Sequence, residues 1–357
     1  MDILDHFYNL NYRDIRFLPR RYNLGGFRKS LICGLPSSGK TYIALNHLNS
    51  LDRDKSLYID LQDPKLEFNP ITLSDIERFI LENSIDTLII DNYIEGFLNR
   101  DVEVDSIIVI SPKSYPELDG YHIVRVSYLN FRELLSFHKR GIERQRFNLF
   151  IKRGRIVQLA LNADIPREEL FKTFIRRNFT PLEERILIVL SHFNGSNVTI
   201  HQIYTYAKRR FKISKDSIYK KISEFRDREL IFFIDDILNR NGKRLILFDF
   251  ALAGYLSLSQ KFIKQFDSMV ALTLMDDRLS IRSFGSFGYI IDGDILVSPS
   301  PFESRDSAYR RAKDKIELYR EYNIRYLHIV TVSTHYNFKI SGIEFFALPF
   351  YEWALME

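Results

Sequence analysis

Eight consecutive residues carry the strongest chemical signal in this sequence. They read Gly34-Leu35-Pro36-Ser37-Ser38-Gly39-Lys40-Thr41 and fill the phosphate-loop pattern G-x-x-x-x-G-K-[ST] at every fixed position. Glycines let the backbone curl so that several N–H groups point at phosphate oxygens. Lys40 would reach the β- and γ-phosphates, and Thr41 would bind Mg²⁺. We therefore expect a nucleoside triphosphate, ATP or GTP, to bind at this loop together with Mg²⁺.

Apolar runs flank the loop and recur through the first 150 residues. Residues 30–33 suit a buried strand before the loop, and residues 42–48 have helical apolar spacing after it. Further runs that suit buried strands lie at 57–61, 87–91, 107–111 and 122–126. Such strands, separated by helices, are typical of a parallel sheet covered on both faces. The sequence therefore predicts an α/β fold over residues 1–150, a P-loop NTPase sheet with helices on both faces.

The apolar run at 87–91 ends in a second candidate for nucleotide chemistry. Asp91 would hold Mg²⁺ through water beside the phosphate loop, as a Walker B acid does. In many ATPases a Glu follows this Asp and polarises the attacking water, but here the next residue is Asn92, which cannot accept a proton. Either Glu95 substitutes one helical turn later, or hydrolysis is slow and nucleotide binding acts chiefly as a switch. The candidate catalytic residues are Lys40, Asp91 and Glu95.

Composition narrows the class of protein. A hydrophobic share of 45% and a charged share of 27% indicate a globular chain, and 357 residues suit two or three domains. No window approaches the roughly 20 apolar residues of a membrane span. The single Cys33 cannot form an internal disulfide, and the N-terminus lacks a leader pattern, so we expect a cytoplasmic protein. The net charge of +5 is a mild bias toward polyanions.

Residues 180–250 have the pattern of a helical unit followed by a hairpin. Helices are predicted at 184–193, 200–210 and 215–225, and apolar runs at 230–234 and 244–248 flank an Asn-Gly turn signal. Three helices and a basic-tipped hairpin predict a winged helix, whose third helix would enter the DNA major groove. The predicted DNA contacts are Lys215, Ser217, Tyr219, Lys220 and Lys221 on the third helix, and Arg240, Lys243 and Arg244 on the wing. Such domains also bind proteins, so double-stranded DNA and a protein partner are both candidates.

Four segments together resemble the P-loop ATPases of the STAND and AAA+ type found in archaea and bacteria. They are GLPSSGKT at 34–41, LYIDLQDPKL at 57–66, VRVSYLNFRELLSF at 124–137 and FNLFIKRGRIVQL at 147–159. In these proteins an ATPase module is followed by a winged helix and a domain resembling restriction endonucleases. The resemblance implies ATP as the nucleotide. It also implies a helical linker or lid over 151–179 and a small α/β endonuclease-like domain over 251–357.

The C-terminal segment departs from the pattern of an active nuclease of that fold. Such an enzyme places an Asp on one strand and Glu-x-Lys on the next, so that two carboxylates hold Mg²⁺ while Lys assists the attacking water. Asp292 or Asp294 would be the first acid, but the residues that follow, 295–301, contain no Glu-x-Lys. A catalytically inactive, structural or partner-binding domain is therefore expected here.

The leading hypothesis is a Mg·ATP-binding ATPase or slow nucleotide switch that controls a winged-helix module. A DNA-binding regulator in which the nucleotide is structural or allosteric, without significant turnover, is the main alternative. A Mg²⁺-dependent nuclease and an interaction scaffold are two further hypotheses. None of these requires a membrane, and each is compatible with an oligomer.

Overall fold

The structure is a computed structural model that describes residues 2–356 apart from 13, 14, 16, 19, 114–117, 138–141, 163, 240, 259, 260 and 278. The chain divides into two compact units, Met1–Tyr128 and Leu129–Glu357. The first unit is shorter than the predicted range 1–150, because the helix at Glu143–Arg153 packs within the second unit. None of the described helices is long and apolar enough to cross a membrane.

The first unit contains a five-stranded sheet whose strands are all parallel. Its spatial order is β2-β3-β4-β1-β5. Two short 3-10 helices, Arg53–Lys55 and Pro64–Glu67, flank β2. The remaining elements are α1 (Ile3–Asn9), β1 (Lys29–Gly34), α2 (Lys40–Leu48), β2 (Ser56–Asp60), α3 (Leu73–Asn83), β3 (Thr87–Asp91), β4 (Ser106–Ile110) and β5 (His122–Val126).

Both faces of this sheet are buried, which explains why its central strands are nearly continuous apolar runs. On one face, Leu31, Leu88 and Ile107 belong to a cluster that includes residues of α1 and α3. On the other face, Ile32 and Ile89 belong to a cluster that includes residues of α2. The predicted parallel sheet with helices on both faces is confirmed, and its strands begin or end within a residue or two of the predicted apolar runs.

The second unit begins with helices and a small antiparallel sheet. Thr180 caps α8 through a capping box with Glu183, and Ser214 caps α10. The sheet has the order β6-β8-β7, so β8 is its central strand. The elements are α4 (Phe131–Phe137), α5 (Glu143–Arg153), α6 (Val157–Leu161), α7 (Arg167–Asn178), α8 (Pro181–Phe193), β6 (Ser196–Val198), α9 (Ile200–Lys208), α10 (Lys215–Asp227), β7 (Ile231–Asp235), β8 (Lys243–Leu247), α11 (Phe250–Leu256) and α12 (Phe262–Asp276).

A mixed six-stranded sheet completes the second unit, in the order β13-β14-β12-β11-β10-β9. The strands β9, β10 and β11 form an antiparallel meander, and β12 then returns parallel to β11 after helix α13. The elements are β9 (Arg282–Ser283), β10 (Tyr289–Ile291), β11 (Ile295–Pro299), α13 (Arg305–Glu321), β12 (Tyr326–Thr331), β13 (Tyr336–Ile340), β14 (Ile343–Pro349) and α14 (Phe350–Trp353).

Candidate nucleotide-binding site

The phosphate-loop motif lies between the central strand β1 and helix α2. Gly34 ends β1 with φ +133°, next to Val126 on the neighbouring strand β5. A Cβ added to Gly34 would lie 2.2 Å from the carbonyl oxygen of Val126. Only glycine fits this close approach, so the first fixed glycine of the motif has a specific steric reason.

The loop backbone curls through two residues in the left-handed region. Ser37 has φ +55°, and Gly39, which precedes the first residue of α2, has φ +90°. Alternating right- and left-handed residues turn successive N–H groups inward and form a concave anion-binding nest. The loop also leads into the N-terminus of α2, where backbone N–H groups and the helix dipole favour negative charge.

The Ser38 side chain is a candidate hydrogen-bonding group for a ligand in the loop. The hydroxyl of Ser38 is fully buried, and it has no hydrogen-bond partner among the described residues. A buried hydroxyl without a partner is costly, and a phosphate oxygen is a suitable acceptor for it. The glycine cradle and this hydroxyl therefore fit a phosphate group.

Lys40 bridges the first two carbonyl groups of the loop. Its Nζ donates to the carbonyl oxygens of Gly34 at 3.1 Å and Leu35 at 2.9 Å. Burial lowers the pKa of Lys40 to about 8, although nearby Asp91 favours its charged form. The Lys40 ammonium group is thus bound by two neutral carbonyl oxygens of the loop. Neutral acceptors bind an ammonium group less strongly than phosphate oxygens do.

Asp91 is buried, at 2% exposed, where β3 ends. Its Oδ2 accepts hydrogen bonds from Thr41 Oγ1 at 2.7 Å and Tyr58 OH at 2.8 Å, and its Oδ1 accepts one from the Asn92 amide at 2.7 Å. Burial raises the pKa of Asp91, while these three hydrogen bonds act in the opposite direction. Thr41 and Asp91, both predicted as metal-binding, lie in direct contact, and hydroxyl and carboxylate oxygens suit Mg²⁺.

Two further residues belong to this network, and the sequence analysis did not identify them. Tyr58 donates to Asp91, and Asp60 accepts a hydrogen bond from Asn92 Nδ2 at 2.8 Å. Asn92 itself has φ +54°, a left-handed conformation that Asn tolerates better than most residues. Asp60 and Asp91 are register partners at the ends of β2 and β3. The available signal was an acid at the end of each of two adjacent apolar strands.

Glu95, the predicted substitute for a catalytic glutamate, lies in a different setting from the one expected. It follows β3 in an exposed turn and not in a helix. Its carboxylate forms an ion pair with Lys113. The expectation that Glu95 lies one helical turn after Asn92 is therefore wrong, because the chain has no helix between β3 and β4.

Some of the predicted DNA-contacting side chains are exposed, and others form ion pairs with neighbouring residues. Lys215, Tyr219 and Lys220 are exposed on α10, and Ser217 is half-buried there. Lys221 is half-buried and pairs with Glu224 at 2.6 Å. On the hairpin, Lys243 pairs with Asp235 at 2.8 Å, and Arg240 lies outside the described residues.

Arg244 requires a correction. The prediction that it faces DNA is wrong, because the residue is only 7% exposed. Its Nη1 donates to Asp267 at 3.1 Å, and its Nη2 donates to the carbonyl oxygen of Gly285. Arg244 therefore joins the hairpin to α12 and to the turn between β9 and β10.

The two acids proposed for an endonuclease-like centre lie at the β10–β11 hairpin. Asp292 is exposed in the turn with φ +53°, and Asp294 accepts a hydrogen bond from Arg325 Nε at 2.7 Å. The paired residues of β10 and β11 are Tyr289 with Val297, Ile290 with Leu296 and Ile291 with Ile295. Neither of these two strands carries a carboxylate or a lysine.

The topology and the loop define the class of protein: the first unit has the fold of a P-loop NTPase. No family model matches the chain, and no curated protein matches it. Among solved structures, it is similar to a Walker-type ATPase of Pyrococcus abyssi, with 13% identity over 65% of this chain and 92% of that one and a TM-score of 0.44.

Two further solved structures are more distant. A signal transduction ATPase with numerous domains and a tetratricopeptide repeat sensor, from Pyrococcus horikoshii, is 15% identical over 70% of this chain and 43% of that one, with a TM-score of 0.28. The Drosophila ORC, in a structure with AT-rich DNA and Cdc6, is 13% identical over 61% of this chain and 81% of that one, with a TM-score of 0.18. The roles of individual residues therefore rest on the geometry of the site itself.

Proposed function

We propose that this protein binds Mg·ATP at residues 34–41 and either hydrolyses it slowly or uses it as a switch. The observation that carries the proposal is the 2.7 Å hydrogen bond between Thr41 Oγ1 and Asp91 Oδ2. It joins the hydroxyl and the carboxylate that would hold one Mg²⁺ ion, Thr41 directly and Asp91 through water. Bound Mg²⁺ would neutralise charge on the β- and γ-phosphate oxygens.

The loop and Lys40 would bind the phosphates. The curled backbone presents N–H donors, and the buried Ser38 hydroxyl adds one more. Lys40 would exchange the carbonyl oxygens of Gly34 and Leu35 for phosphate oxygens, with which it forms stronger, charge-assisted hydrogen bonds. Each of these groups would bind a phosphate oxygen, so the triphosphate would contribute most of the affinity for the nucleotide.

Slow turnover is the next element of the proposal. Asn92 takes the position where many ATPases have a glutamate, and its side-chain amide already donates to Asp60. Glu95 is exposed and paired with Lys113. Neither residue is placed to remove a proton from an attacking water, so the bound nucleotide would act chiefly as a signal.

The controlled module would be a winged helix formed by α8, α9, α10 and the β7–β8 hairpin. The order of three helices followed by a hairpin supports this assignment. Lys215, Tyr219 and Lys220 on the third helix would contact duplex DNA. Of the two wing residues within the described part of the chain, Lys243 is paired with Asp235 and Arg244 is buried, so neither would offer a free charge to DNA.

Titration calorimetry tests the nucleotide assignment. Wild-type protein should bind Mg·ATP, and the Lys40→Ala variant should bind it at least about a hundredfold more weakly, because charge-assisted hydrogen bonds contribute roughly 1.5–3 kcal/mol each. Lys55→Ala is the matched control, since Lys55 pairs with Asp86 on the surface of the same unit. Equal affinity of Lys40→Ala and wild type would overturn the proposal, and a parallel titration with Mg·GTP would show the base preference.

A DNA-binding regulator that does not turn over nucleotide is the second candidate, and the amide at Asn92 favours it. Phosphate release measured with and without duplex DNA separates the two functions. If DNA and nucleotide are coupled, each must change the affinity of the other by the same factor. The DNA titrations belong at low salt, where binding to phosphates is strongest. Equal Mg·ATP affinity with and without bound DNA would exclude a switch.

A further inference from the structure

Two residues that lie outside the motif donate hydrogen bonds to carbonyl groups of the phosphate loop. Tyr128 OH donates to the carbonyl oxygen of Pro36 at 2.8 Å. Arg20 Nη1 donates to the carbonyl oxygen of Ser38 at 2.7 Å. These two carbonyl groups flank Ser37, which has a Cβ and yet adopts φ +55°. The left-handed conformation is unfavourable for such a residue, so neighbouring contacts must maintain it.

The position of these carbonyl groups determines where two amides point. In a trans peptide the C=O of one residue and the N–H of the next lie in one plane and point in opposite directions. Because Tyr128 binds the Pro36 carbonyl, the Ser37 amide points away from Tyr128. In the same way, the Gly39 amide points away from Arg20, which binds the Ser38 carbonyl. Within the described part of the chain, neither amide donates a hydrogen bond to another residue.

Both supporting side chains are themselves fixed. Tyr128 is fully buried. Arg20 donates through its Nη2 to the carbonyl oxygen of Ser127 at 2.9 Å, and its guanidinium lies over the ring of Tyr22. The Tyr22 hydroxyl in turn accepts a hydrogen bond from the Ser127 amide at 2.8 Å. The residues that follow β5 and the segment before β1 are thus joined to each other by hydrogen bonds where they contact the loop.

We propose that Tyr128 and Arg20 are positioning residues for triphosphate binding, which hold the Ser37 and Gly39 amides toward the phosphates by binding the carbonyl groups of Pro36 and Ser38. This inference rests on the proposed nucleotide function and adds two residues to it. Neither residue touches the nucleotide. Their contribution is that the loop needs no rearrangement when phosphate arrives, which removes an ordering cost from binding.

The test compares two variants with two matched controls. Tyr128→Phe removes one hydroxyl-to-carbonyl hydrogen bond, and Tyr8→Phe removes an equivalent one, from Tyr8 OH to the Asp54 carbonyl oxygen at 2.9 Å. Arg20→Met removes the guanidinium that donates to the loop, and Arg53→Met removes one that donates to the Asn9 carbonyl oxygen at 2.9 Å. All four residues belong to the first unit.

Affinity is measured by calorimetry for Mg·ATP and for Mg·tripolyphosphate, which has no base or sugar. We expect Tyr128→Phe to weaken both ligands by about fivefold and Arg20→Met by about tenfold, as typical for one neutral and one charged hydrogen bond. Because the loop amides would contact only the phosphates, each variant should weaken the binding of Mg·ATP and of Mg·tripolyphosphate by the same factor. Arg20→Lys should restore part of the loss. The control variants should bind both ligands like wild type.

An NMR readout separates positioning from general destabilisation. On binding Mg·tripolyphosphate, the amide protons of Ser37 and Gly39 should shift strongly downfield in wild type. The Ser37 shift should shrink in Tyr128→Phe and the Gly39 shift in Arg20→Met. Loss of affinity without these specific changes would overturn the inference.

The possible failures are distinguishable. If Lys40→Ala loses nucleotide affinity while Tyr128→Phe and Arg20→Met bind like wild type, the proposed function stands and this inference is wrong. If wild type binds neither Mg·ATP nor Mg·tripolyphosphate, the proposed function itself is wrong. If Tyr128→Phe fails to fold, the half-buried Arg20 carries the test through its Met and Lys variants.

Discussion

Asp91 and Asp294 lie at strand ends in the two α/β regions of the molecule, and their partners differ in kind. Asp91 is held by two hydroxyl groups and one amide, all neutral. Asp294 is held by the guanidinium of Arg325. A carboxylate held by neutral donors has no cation hydrogen-bonded to it, whereas at Asp294 a metal ion would have to displace the guanidinium of Arg325. The nature of the partners therefore distinguishes a candidate metal site from a structural ion pair.

The first prediction concerns Asp267, a largely buried carboxylate that, like Asp294, is paired with an arginine. Asp267 accepts hydrogen bonds from Arg244 Nη1 at 3.1 Å and Tyr289 OH at 2.8 Å. Arg244→Met should lower the free energy of unfolding by roughly 3–5 kcal/mol, because it leaves a buried charge without its counterion. Urea denaturation measures this change.

Lys243→Met is the control, since its partner Asp235 is exposed, and it should change the free energy of unfolding by less than about 1 kcal/mol. DNA affinity should follow the folded fraction of Arg244→Met and nothing else. A stable Arg244→Met variant with a specific loss of DNA binding would restore the original prediction for this residue.

The second prediction concerns Asp91, whose three hydrogen-bond donors are neutral. Asp91→Asn keeps the shape of the side chain but removes the charge, so Mg·ATP affinity should fall about 10- to 100-fold, as for other groups next to a metal. Because burial raises the pKa of Asp91 in the folded protein, its ionised form opposes folding as pH rises through that pKa. The variant should therefore melt at a higher temperature than wild type at neutral pH without nucleotide.

Calorimetry with and without Mg²⁺, together with thermal melts, checks both parts. In the absence of Mg²⁺, Asp91→Asn and wild type should bind ATP with similar affinity. A variant that loses affinity equally with and without Mg²⁺ would show that Asp91 supports the loop and not the metal.

The third prediction is a pH dependence from Lys40. Its pKa in the free protein is lowered to about 8 by burial, and phosphate binding requires the charged form. Affinity for Mg·ATP should thus be constant well below pH 8 and fall by up to about tenfold per pH unit above it, with proton uptake on binding. Calorimetry in two buffers of different ionisation enthalpy measures that uptake.

Lys40→Arg is the control for this pH dependence, because a guanidinium stays charged throughout the range. Its affinity should be flat between about pH 8 and 9. A flat wild-type profile would mean that Lys40 does not titrate in the site.

The local structure of the candidate nucleotide site could be predicted from sequence to the extent that a motif and buried strands are local patterns. The left-handed conformation of Gly39 follows from residue type, and the acid at the end of β3 follows from the apolar run before it. The contact of Tyr58 with Asp91 depends on the register between two strands, which the sequence does not encode locally.

Arg244 was mispredicted for a related reason. It lies on the central strand of its sheet, and its acidic partner Asp267 is 23 residues away on α12. Near a hairpin turn, a basic residue has the same local pattern whether it faces solvent or a later helix. Burial by a distant element is therefore the part of the fold that sequence pattern could not supply.

The smallest effects are expected at the β10–β11 hairpin. Asp292→Asn keeps a residue type that tolerates φ +53°, and Asp294→Asn weakens only a pair with the largely exposed Arg325. Each should change the free energy of unfolding by less than about 1 kcal/mol and leave Mg²⁺ without effect on stability. A plasmid-nicking assay and denaturation with and without Mg²⁺ make the measurement. A Mg²⁺-dependent change would indicate a metal site at the substituted residue; at Asp294 it would mean that Mg²⁺ competes with the Arg325 guanidinium for the carboxylate.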